Sequence, residues 1–294
     1  MTSLDVNEHL DATPGGLRSV LNSLGRWQRA YLAVALIIVA AMLFVAVFAP
    51  LLSPFDPTAQ DLKSRLLPPG SMGSHGTHLM GTDGLGRDVF SMILAGTPYA
   101  VGISVAAVIL AGATGTLVGA VTGFIGGRLG SAMVFVTNVQ LSIPAIMLAI
   151  AVVGILTPSV PLVIVVIAFG VWVPFARISY AETQRIRDLE YIEAVRVMRG
   201  STVRIIRSHI LPNIVPHVLV MATLCVGLAV LAEASLSFVG LGAPTASPTW
   251  GLLLSQGRQY ISTAWWLAIF PGLAIFLLVF AVSVIGEQVR DLKD

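Results

Sequence analysis

The sequence contains very little cysteine and very little charge. Cys225 is the single cysteine among 294 residues, and it lies inside an apolar run. No intrachain disulfide and no cysteine-based metal site can therefore form. Charged residues make up 11% of the chain and hydrophobic residues 56%, with a formal net charge of +2. Because the basic residues are spread over many short segments, we expect no nucleic-acid partner. The mean hydropathy of +0.88 instead indicates an integral membrane protein.

The chain also lacks the short motifs of common catalytic and nucleotide-binding sites. No segment reads G-x-x-x-x-G-K-[ST], and neither H-E-x-x-H nor G-x-S-x-G occurs, which argues against an intramembrane hydrolase. The glycine-rich stretch GTDGLGRD lacks the lysine and hydroxyl of a phosphate-binding loop and the spacing of a calcium loop. We expect no catalytic residue, no metal site and no cofactor in this chain. We interpret the stretch as a turn that leads into a helix and contacts a docking protein, through Gly81, Thr82, Asp83, Gly86, Arg87 and Asp88.

Uncharged runs predict six transmembrane helices, since about 20 apolar residues cross a bilayer. The run at 89–127 is too long for one span, so Pro98 predicts a break between a short interfacial helix and the second span. The run at 129–176 is divided by the TPSVP at 157–161. The first span follows a polar head and is therefore no cleaved signal peptide. The predicted spans are 31–52, about 99–125, the two halves of 129–176, about 216–239 and about 264–285.

Lysine and arginine predict the orientation, because they favour the cytoplasmic side. With six spans and an internal N-terminus, only four of the 17 lysines and arginines fall outside, and both termini are cytoplasmic. The chain then divides into a cytoplasmic tail at 1–30, the first helix at 31–52, an extracytoplasmic loop with the interfacial helix at 53–98, a five-helix core at 99–286 that contains a cytoplasmic loop at 178–214, and a cytoplasmic tail at 287–294.

The cytoplasmic loop contains EAVRVMRGSTVRIIRSHILP at 193–212, which carries four arginines between two apolar spans. Apolar residues at helical spacing predict two short helices. Gly200 predicts the joint between them, Ser201 or Thr202 the N-cap of the second, and Pro212 its end. From periodicity alone, a basic amphipathic pair lying on anionic headgroups is an equal alternative.

This segment resembles the EAA loop of permease subunits in bacterial ABC importers. The pattern of that loop is Glu-Ala-Ala, three residues, Gly, nine residues, Ile, one residue, Leu-Pro. Glu193, Ala194, Leu211 and Pro212 match it in register. Val195 replaces the third alanine, Arg199 stands at the glycine position with Gly200 one place later, and His209 stands at the isoleucine position.

Two further stretches narrow the resemblance. HLMGTDGLGRDVFSMILAG at 78–96 and EASLSFVGLGAPTASPTWGLLL at 233–254 are similar to the C-type permease subunit of dipeptide and oligopeptide ABC importers. With the EAA-like segment, the resemblance covers about residues 30–290. It implies an all-α, polytopic membrane protein with six transmembrane helices and the type I ABC importer permease fold, in a bacterial plasma membrane.

The resemblance also implies a role and a set of partners. The chain would be a pore subunit and not an enzyme, with ATP and Mg²⁺ bound by two cytoplasmic ATPase subunits. A second homologous permease, an extracytoplasmic solute-binding protein and membrane lipid complete the expected partners. The implied cargo is a peptide, with nickel chelate, glutathione or haem as alternatives; a self-contained carrier or channel is the alternative from another class. The residues implied to couple to the ATPase are Glu193, Ala194, Arg196, Arg199, Gly200, Leu211 and Pro212.

Glu233 is the one acidic residue within a predicted span. Charged groups at membrane depth face a cavity or a partner by default. One interpretation places Glu233, Ser235 and Ser237 at the translocation path or its outer gate; in the other, the carboxylate reaches the outer surface or bonds to a neighbouring helix. Separately, Gly115 and Gly119 lie four residues apart, which predicts a close helix contact within the chain or with the second permease.

Overall fold

The structure is a computed structural model that describes residues 26–198, 200–242 and 248–291. Helices make up most of these residues, and a short antiparallel hairpin, with Met72 opposite Thr77, follows the first helix. The helices are α1 (Arg26–Leu52), α2 (Val89–Ile125), α3 (Gly127–Leu141), α4 (Ala145–Ile155), α5 (Val160–Arg187), α6 (Glu190–Val197), α7 (Thr202–Phe238), α8 (Trp250–Gly257) and α9 (Trp266–Asp291), and the strands are β1 (Ser71–Gly73) and β2 (Gly76–His78).

Five of the helices, α1, α2, α5, α7 and α9, are long and apolar enough to cross a membrane. The pair α3–α4 passes the same test together, although it bends by 80° at the break. The break falls at 142–144 because Pro144 lacks a backbone N–H and disfavours helical backbone angles in Ile143. The predicted all-α architecture with six spans is confirmed, with a sharp bend in the third.

Successive spans run in opposite directions between two ends of the bundle. We name the end that carries α6 the loop end and the end that carries the β-hairpin the hairpin end. Phe55, just after α1, stacks near His78 of β2 with ring centroids 4.7 Å apart. Phe124, near the last residue of α2, lies beneath Arg196 of α6. By this alternation, both the start of α1 and the end of α9 lie at the loop end.

The break predicted at Pro98 is absent, and the separate interfacial helix is wrong. One helix, α2, runs through this residue. The carbonyl oxygen of Ile93, in the turn before Pro98, accepts hydrogen bonds from Trp250 Nε1 at 2.9 Å and from Thr97 Oγ1 at 3.0 Å. These side-chain donors bond to the carbonyl next to that of Leu94, which loses its helical donor to Pro98, and so stabilise the turn just before the proline.

The helix end predicted at Pro212 is also wrong. The second helix of the 193–212 segment continues into the membrane span as α7, with a π turn at Ile206–Ile210. Pro212 occupies one of the first two positions of the α-helical part that follows this turn. Its missing N–H is not required at such a position, so the proline is accommodated rather than terminating the helix.

The closest helix contact joins α2 to α5 through glycines. A Cβ atom built on Gly115 would lie 2.8 Å from Phe175 Cβ, and one built on Gly119 would lie 2.9 Å from Ser179 Cβ. Gly123 continues the row one turn later, against Thr183. Side chains at these positions would force the two backbones apart. The contact predicted from Gly115 and Gly119 therefore lies within the chain.

We expect Gly119→Ala to destabilise the protein despite the higher helix propensity of alanine. Overpacking of this kind costs roughly 1–3 kcal/mol. The matched control is Gly102→Ala in the same helix, because no atom lies within 4 Å of a Cβ built there. Thermal unfolding in detergent should show a lower Tm for Gly119→Ala and an unchanged or higher Tm for Gly102→Ala. Equal Tm values for the two variants would contradict the tight α2–α5 contact.

Candidate functional site

At the loop end, α6 is fixed to the bundle by one apolar cluster. Ile192 of α6 is fully buried and packs with Phe124 of α2 and Ile186 of α5. The start of α7 contributes further isoleucines to the same cluster, among them Ile205 and Ile210. Burial of each such side chain stabilises the arrangement by roughly 1.5–3 kcal/mol. The loop that contains α6 therefore shares one apolar core with α2, α5 and α7.

Two arginines reinforce this attachment electrostatically. The Arg196 guanidinium lies over the Phe124 ring, 4.7 Å from its centroid. Arg187 donates from Nη1 to the carbonyl oxygen of Gly123 at 3.0 Å and so caps the negative end of the α2 dipole. Glu190 and Glu193 in the first turn of α6 complement the dipole of that helix in the same way.

The predicted pair of helices with a joint is present. The backbone N–H of Gly200 bonds to the carbonyl oxygen of Val195 at 3.0 Å, and a Cβ at Gly200 would lie 2.9 Å from that oxygen. The close approach explains the glycine. Ser201 is the N-cap of α7, because its Oγ accepts a hydrogen bond from the backbone N–H of Arg204 at 3.3 Å. Arg199 lies outside the described residues.

The outward surface of the loop carries an exposed apolar patch made of Val197, Met198 and Val203, which are 78%, 74% and 74% exposed. Met198 stands in the same three-residue series as the buried Ile192, which predicts that both face the bundle. Met198 instead lies one residue beyond α6 and is exposed. Sequence periodicity therefore missed the patch. Exposed apolar side chains on a loop that is otherwise rich in charged residues favour a partner-binding surface.

The EAA-like residues lie on or beside this patch. Glu193, Ala194 and Arg196 are exposed on α6. Glu193 makes no side-chain hydrogen bond or ion pair with any residue in the described ranges, so its carboxylate is open to a partner. Leu211 packs against the apolar cluster, and Pro212 is exposed.

The structure brings only two of the three predicted pathway residues together. Glu233 is 1% exposed, and its Oε1 accepts a hydrogen bond from Ser237 Oγ at 2.6 Å. Within the described part of the chain, its Oε2 has no hydrogen-bond partner. Ser235 points elsewhere and donates to the carbonyl oxygen of Leu231 in its own helix at 2.7 Å. Glu233 thus lies inside the packing of the single chain.

At the hairpin end, Asp88 joins α2 to the β-hairpin. Asp88 Oδ2 accepts from the backbone N–H and the hydroxyl of Ser91 at 2.8 and 2.7 Å, which caps α2, and Oδ1 lies 2.9 Å from His78 Nδ1. Thr82 donates from Oγ1 to the carbonyl oxygen of Ser64 at 2.5 Å, and its own carbonyl oxygen accepts from Trp266 Nε1 at 3.2 Å.

The remaining residues of the glycine-rich turn close it as a rigid unit. Arg87 forms an ion pair with Asp83 at 2.6 Å and donates to Gln256 Oε1 of α8 at 3.1 Å. Gly81 and Gly86 have φ angles of +78° and +76°, which favour glycine. In the described ranges no group of three or more His, Cys, Asp or Glu side chains could hold a metal ion. The turn therefore connects the loop between α1 and α2 to α8.

Beside this turn, Asp61 caps a 3₁₀ turn at Leu62–Ser64. The hydroxyl of Ser64 donates to Asp61 Oδ2 at 2.6 Å. This bond and a weaker contribution from Ser74 lower the pKa of the Asp61 carboxyl below its ordinary value. The group is thus held in its charged, acceptor-only form.

A fold of six spans, a packed loop at one end and a rigid cap at the other is typical of a transporter pore subunit. Residues 115–291 match the family described as binding-protein-dependent transport system inner membrane component, and residues 32–69 match the N-terminal transmembrane domain of oligopeptide transport permease C. The chain belongs to the first of these families. The resemblance to C-type permease subunits of bacterial dipeptide and oligopeptide importers is confirmed.

Curated relatives support this assignment over most of their length. The probable D,D-dipeptide transport system permease protein DdpC of Escherichia coli (strain K12) is 36% identical over 88% of this chain and 85% of its own. The dipeptide transport system permease protein DppC of Alkalihalophilus pseudofirmus is 37% identical over 89% and 84%. The nickel transport system permease protein NikC of Escherichia coli (strain K12) is 35% identical over 92% and 94%.

A solved structure supports the fold. A chain of the MetNI methionine ABC transporter in an inward-facing conformation superposes with a TM-score of 0.53, over 68% of this chain and 96% of that one. At 20% identity this likeness concerns the fold alone. The chain is thus a membrane-embedded permease component of an ABC importer. Its relatives include permeases named for D,D-dipeptide, dipeptide and nickel transport.

We expect Asp88→Ala to destabilise the hairpin end, because both the cap of α2 and the bond to His78 are lost. Loss of a helix cap costs roughly 0.5–2 kcal/mol. Asp88→Asn should retain most of the stability, since asparagine caps helices well. The control is Asp56→Ala, whose carboxylate bonds to the nearby Thr58 and not to the hairpin. Limited proteolysis of the 53–88 loop should accelerate in Asp88→Ala alone; equal cleavage rates in all variants would exclude this role.

Proposed function

We propose that this chain is the transmembrane subunit of an ATP-driven importer of peptides. In this proposal it forms half of the translocation pathway with a second homologous permease and couples to two cytoplasmic ATPase subunits, which bind ATP and Mg²⁺. An extracytoplasmic solute-binding protein delivers the cargo. The observation that carries the coupling role is the exposed apolar patch on a loop packed against α2, α5 and α7. The relatives named for D,D-dipeptide and dipeptide transport support the peptide cargo.

The loop end is the cytoplasmic end in this proposal. The supporting observation is the concentration of arginine there, at the end of α5 and on the segment from α6 to the start of α7. Both described ends of the chain lie at the same end of the bundle, which makes both termini cytoplasmic. The hairpin end then faces the solute-binding protein.

Coupling in this proposal is mechanical. The apolar patch would insert into a groove of the ATPase, and Glu193 would bond to backbone N–H groups or a basic side chain there. When the ATPase subunits close on ATP, they displace α6. Because Ile192 and Arg196 bind α6 to the end of α2, a displacement of α6 moves α2, and with it α5 and α7. Alternating access follows from the rocking of these helices.

We predict that Met198→Asp weakens binding of the ATPase. A buried methionine contributes roughly 1.5–3 kcal/mol, and a charge in its place adds a desolvation cost. Affinity purification of the tagged chain in mild detergent should recover at least roughly tenfold less ATPase, which corresponds to about 1.4 kcal/mol. Recovery of the second permease should be unchanged.

The matched control is Met72→Asp, because Met72 is 79% exposed on the opposite, hairpin end. That variant should retain the ATPase in full. If Met198→Asp and Met72→Asp retain equal amounts of ATPase, the patch is not the coupling surface. If the wild-type chain is recovered alone and still moves solute in vesicles without ATP, a self-contained carrier or channel replaces the proposal.

Nickel is a second cargo candidate, favoured by the similarity to the nickel permease NikC. Reconstituted complex with its binding protein should take up radiolabelled dipeptide in an ATP-dependent manner. Uptake of chelated nickel in place of dipeptide would reassign the cargo while leaving the coupling role intact.

Glu233 is proposed to act at the outer gate of the pathway. A carboxylate that is buried at membrane depth, with one oxygen unpaired in the described part of the chain, is costly and marks a functional group. Because it lies inside the single chain, it would take part only when α7 and α8 separate during opening. Ser237 accompanies Glu233, and Ser235 has no part in this arrangement.

We predict that Glu233→Gln lowers the rate of ATP-driven uptake by roughly tenfold, or about 1.4 kcal/mol, while recovery of the partner subunits stays at the wild-type level. The amide keeps the shape and can still accept from Ser237, so the test isolates the charge. Glu287→Gln, an exposed carboxylate of α9, is the control and should transport normally. Unchanged uptake by Glu233→Gln with unchanged assembly would remove Glu233 from the gate.

A further inference from the structure

The break between α3 and α4 lies on a face of the bundle that cannot be covered by lipid alone. All residues from 141 to 147 are exposed in the single chain, and the helix bends there by 80°. A broken helix leaves backbone N–H and C=O groups without helical partners. Such groups are tolerated at membrane depth only where protein covers them or water reaches them. The face around the break therefore borders another subunit or an aqueous path.

A cation lies beside this break. Arg177 of α5 donates from Nη2 to Asn138 Oδ1 of α3 at 2.6 Å and lies 3.5 Å from Thr137 Oγ1. Asn138 is linked to the break, since its carbonyl oxygen accepts from Ser142 Oγ at 3.0 Å. Two residues further along α3, Gln140 Oε1 accepts a hydrogen bond from Trp172 Nε1 of α5 at 2.7 Å. Polar contacts between α3 and α5 thus hold the guanidinium at the edge of the exposed face.

These contacts engage only one of the three guanidinium nitrogens of Arg177. Both partners are neutral and bind Nη2, and in the described ranges Nε and Nη1 have no hydrogen-bond partner. No carboxylate of the described residues lies within 4.0 Å of Arg177; the acid nearest along α5, Glu182, is paired with Arg185 at 3.3 Å. An exposed arginine that is held by one nitrogen presents its remaining N–H groups to an anion, and carboxylate matches their planar geometry.

The position of Arg177 along α5 indicates where in the membrane its guanidinium lies. Arg177 follows the start of α5 at Val160 by 17 residues, or about 26 Å at 1.5 Å per residue. With Val160 taken as the point where α5 enters the hydrocarbon core, which is about 30 Å thick, the guanidinium lies near the loop-end border of that core. A solute that crosses from the hairpin end meets this charge last.

We propose that Arg177, positioned by Asn138, binds a carboxylate of the transported solute beside the broken third span. This inference rests on the proposed peptide import, because every peptide with a free C-terminus carries a carboxylate. The same chemistry is offered by the phosphate of an anionic lipid headgroup, and the experiment below separates the two sources.

The test measures binding of a small peptide to the assembled complex without ATP and without its binding protein, in nanodiscs of zwitterionic phosphatidylcholine. The probes are trialanine and its C-terminal amide, observed by saturation-transfer NMR, which detects weak binding. The wild-type complex should transfer several-fold more saturation to the acid than to the amide. Arg177→Gln should abolish this difference, Arg177→Lys should retain part of it, and Asn138→Ala should reduce it.

The control is Arg128→Gln, an exposed arginine at the start of α3 on the same end of the bundle, which should keep the wild-type difference. A difference between acid and amide that persists in Arg177→Gln would overturn the inference. A second result would also overturn it: trialanine does not bind the wild type in phosphatidylcholine, and phosphatidylglycerol is enriched around the wild type but not around Arg177→Gln. The ligand of Arg177 would then be a lipid headgroup.

Uptake measurements on the same preparations separate this inference from the proposed function. If the wild-type complex imports peptide with ATP but shows no preference for the acid over the amide, only the carboxylate site is excluded. If the complex imports no peptide at all, the proposed function is wrong. If Arg177→Gln fails to assemble, Arg177→Lys and Asn138→Ala decide the question. Arg177→Lys keeps a cation at this position, and Asn138→Ala leaves α5 unchanged.

Discussion

The contact between α2 and α5 is the interaction on which the rest of the molecule depends. Glycines at 115, 119 and 123 let the two backbones approach without intervening side chains. Neither helix can shift along the other without carbonyl groups meeting Cα atoms, so the pair behaves as one body. The α6 loop lies at one end of this pair and the hairpin at the other. At the loop end, Arg187 bonds the end of α5 to α2, and Phe124 of α2 contacts Arg196 of α6. At the hairpin end, Asp88 joins α2 to His78 of the hairpin.

In the proposed function, this arrangement lets a chain without a nucleotide-binding loop respond to an ATPase partner. In the proposed coupling, a force applied at the exposed apolar patch would pass through Ile192 to α2, and the tight contact of α2 with α5 would transmit it along the bundle. The third span is built differently. Its two halves are separated by a bend, and α4 packs on α5 and α7 through small and aliphatic side chains. In the proposed function, the α2–α5 pair would move as one body, and the bent third span would present the polar groups near Arg177 to the solute.

Much of the fold follows from the sequence, because span number and helix type depend on composition along the chain. The EAA-like residues were recognised from their order alone. The continuity of α2 through Pro98 does not follow from the local sequence, because the turn before it is stabilised by Trp250, which is distant in sequence and donates to the carbonyl oxygen of Ile93. The outward position of Met198 depends on where α6 ends, and the pairing of Arg177 with Asn138 depends on how α3 packs on α5. No local pattern contains that information.

The central claim is that the exposed apolar patch contacts the ATPase. A photoreactive amino acid placed at position 198, with position 72 as the control, tests it directly in intact membranes. The account predicts a crosslink from position 198 to a subunit that carries a phosphate-binding loop, and none to that subunit from position 72. A crosslink from position 198 to lipid or to this chain alone, in membranes where the ATPase is present and active, would contradict it.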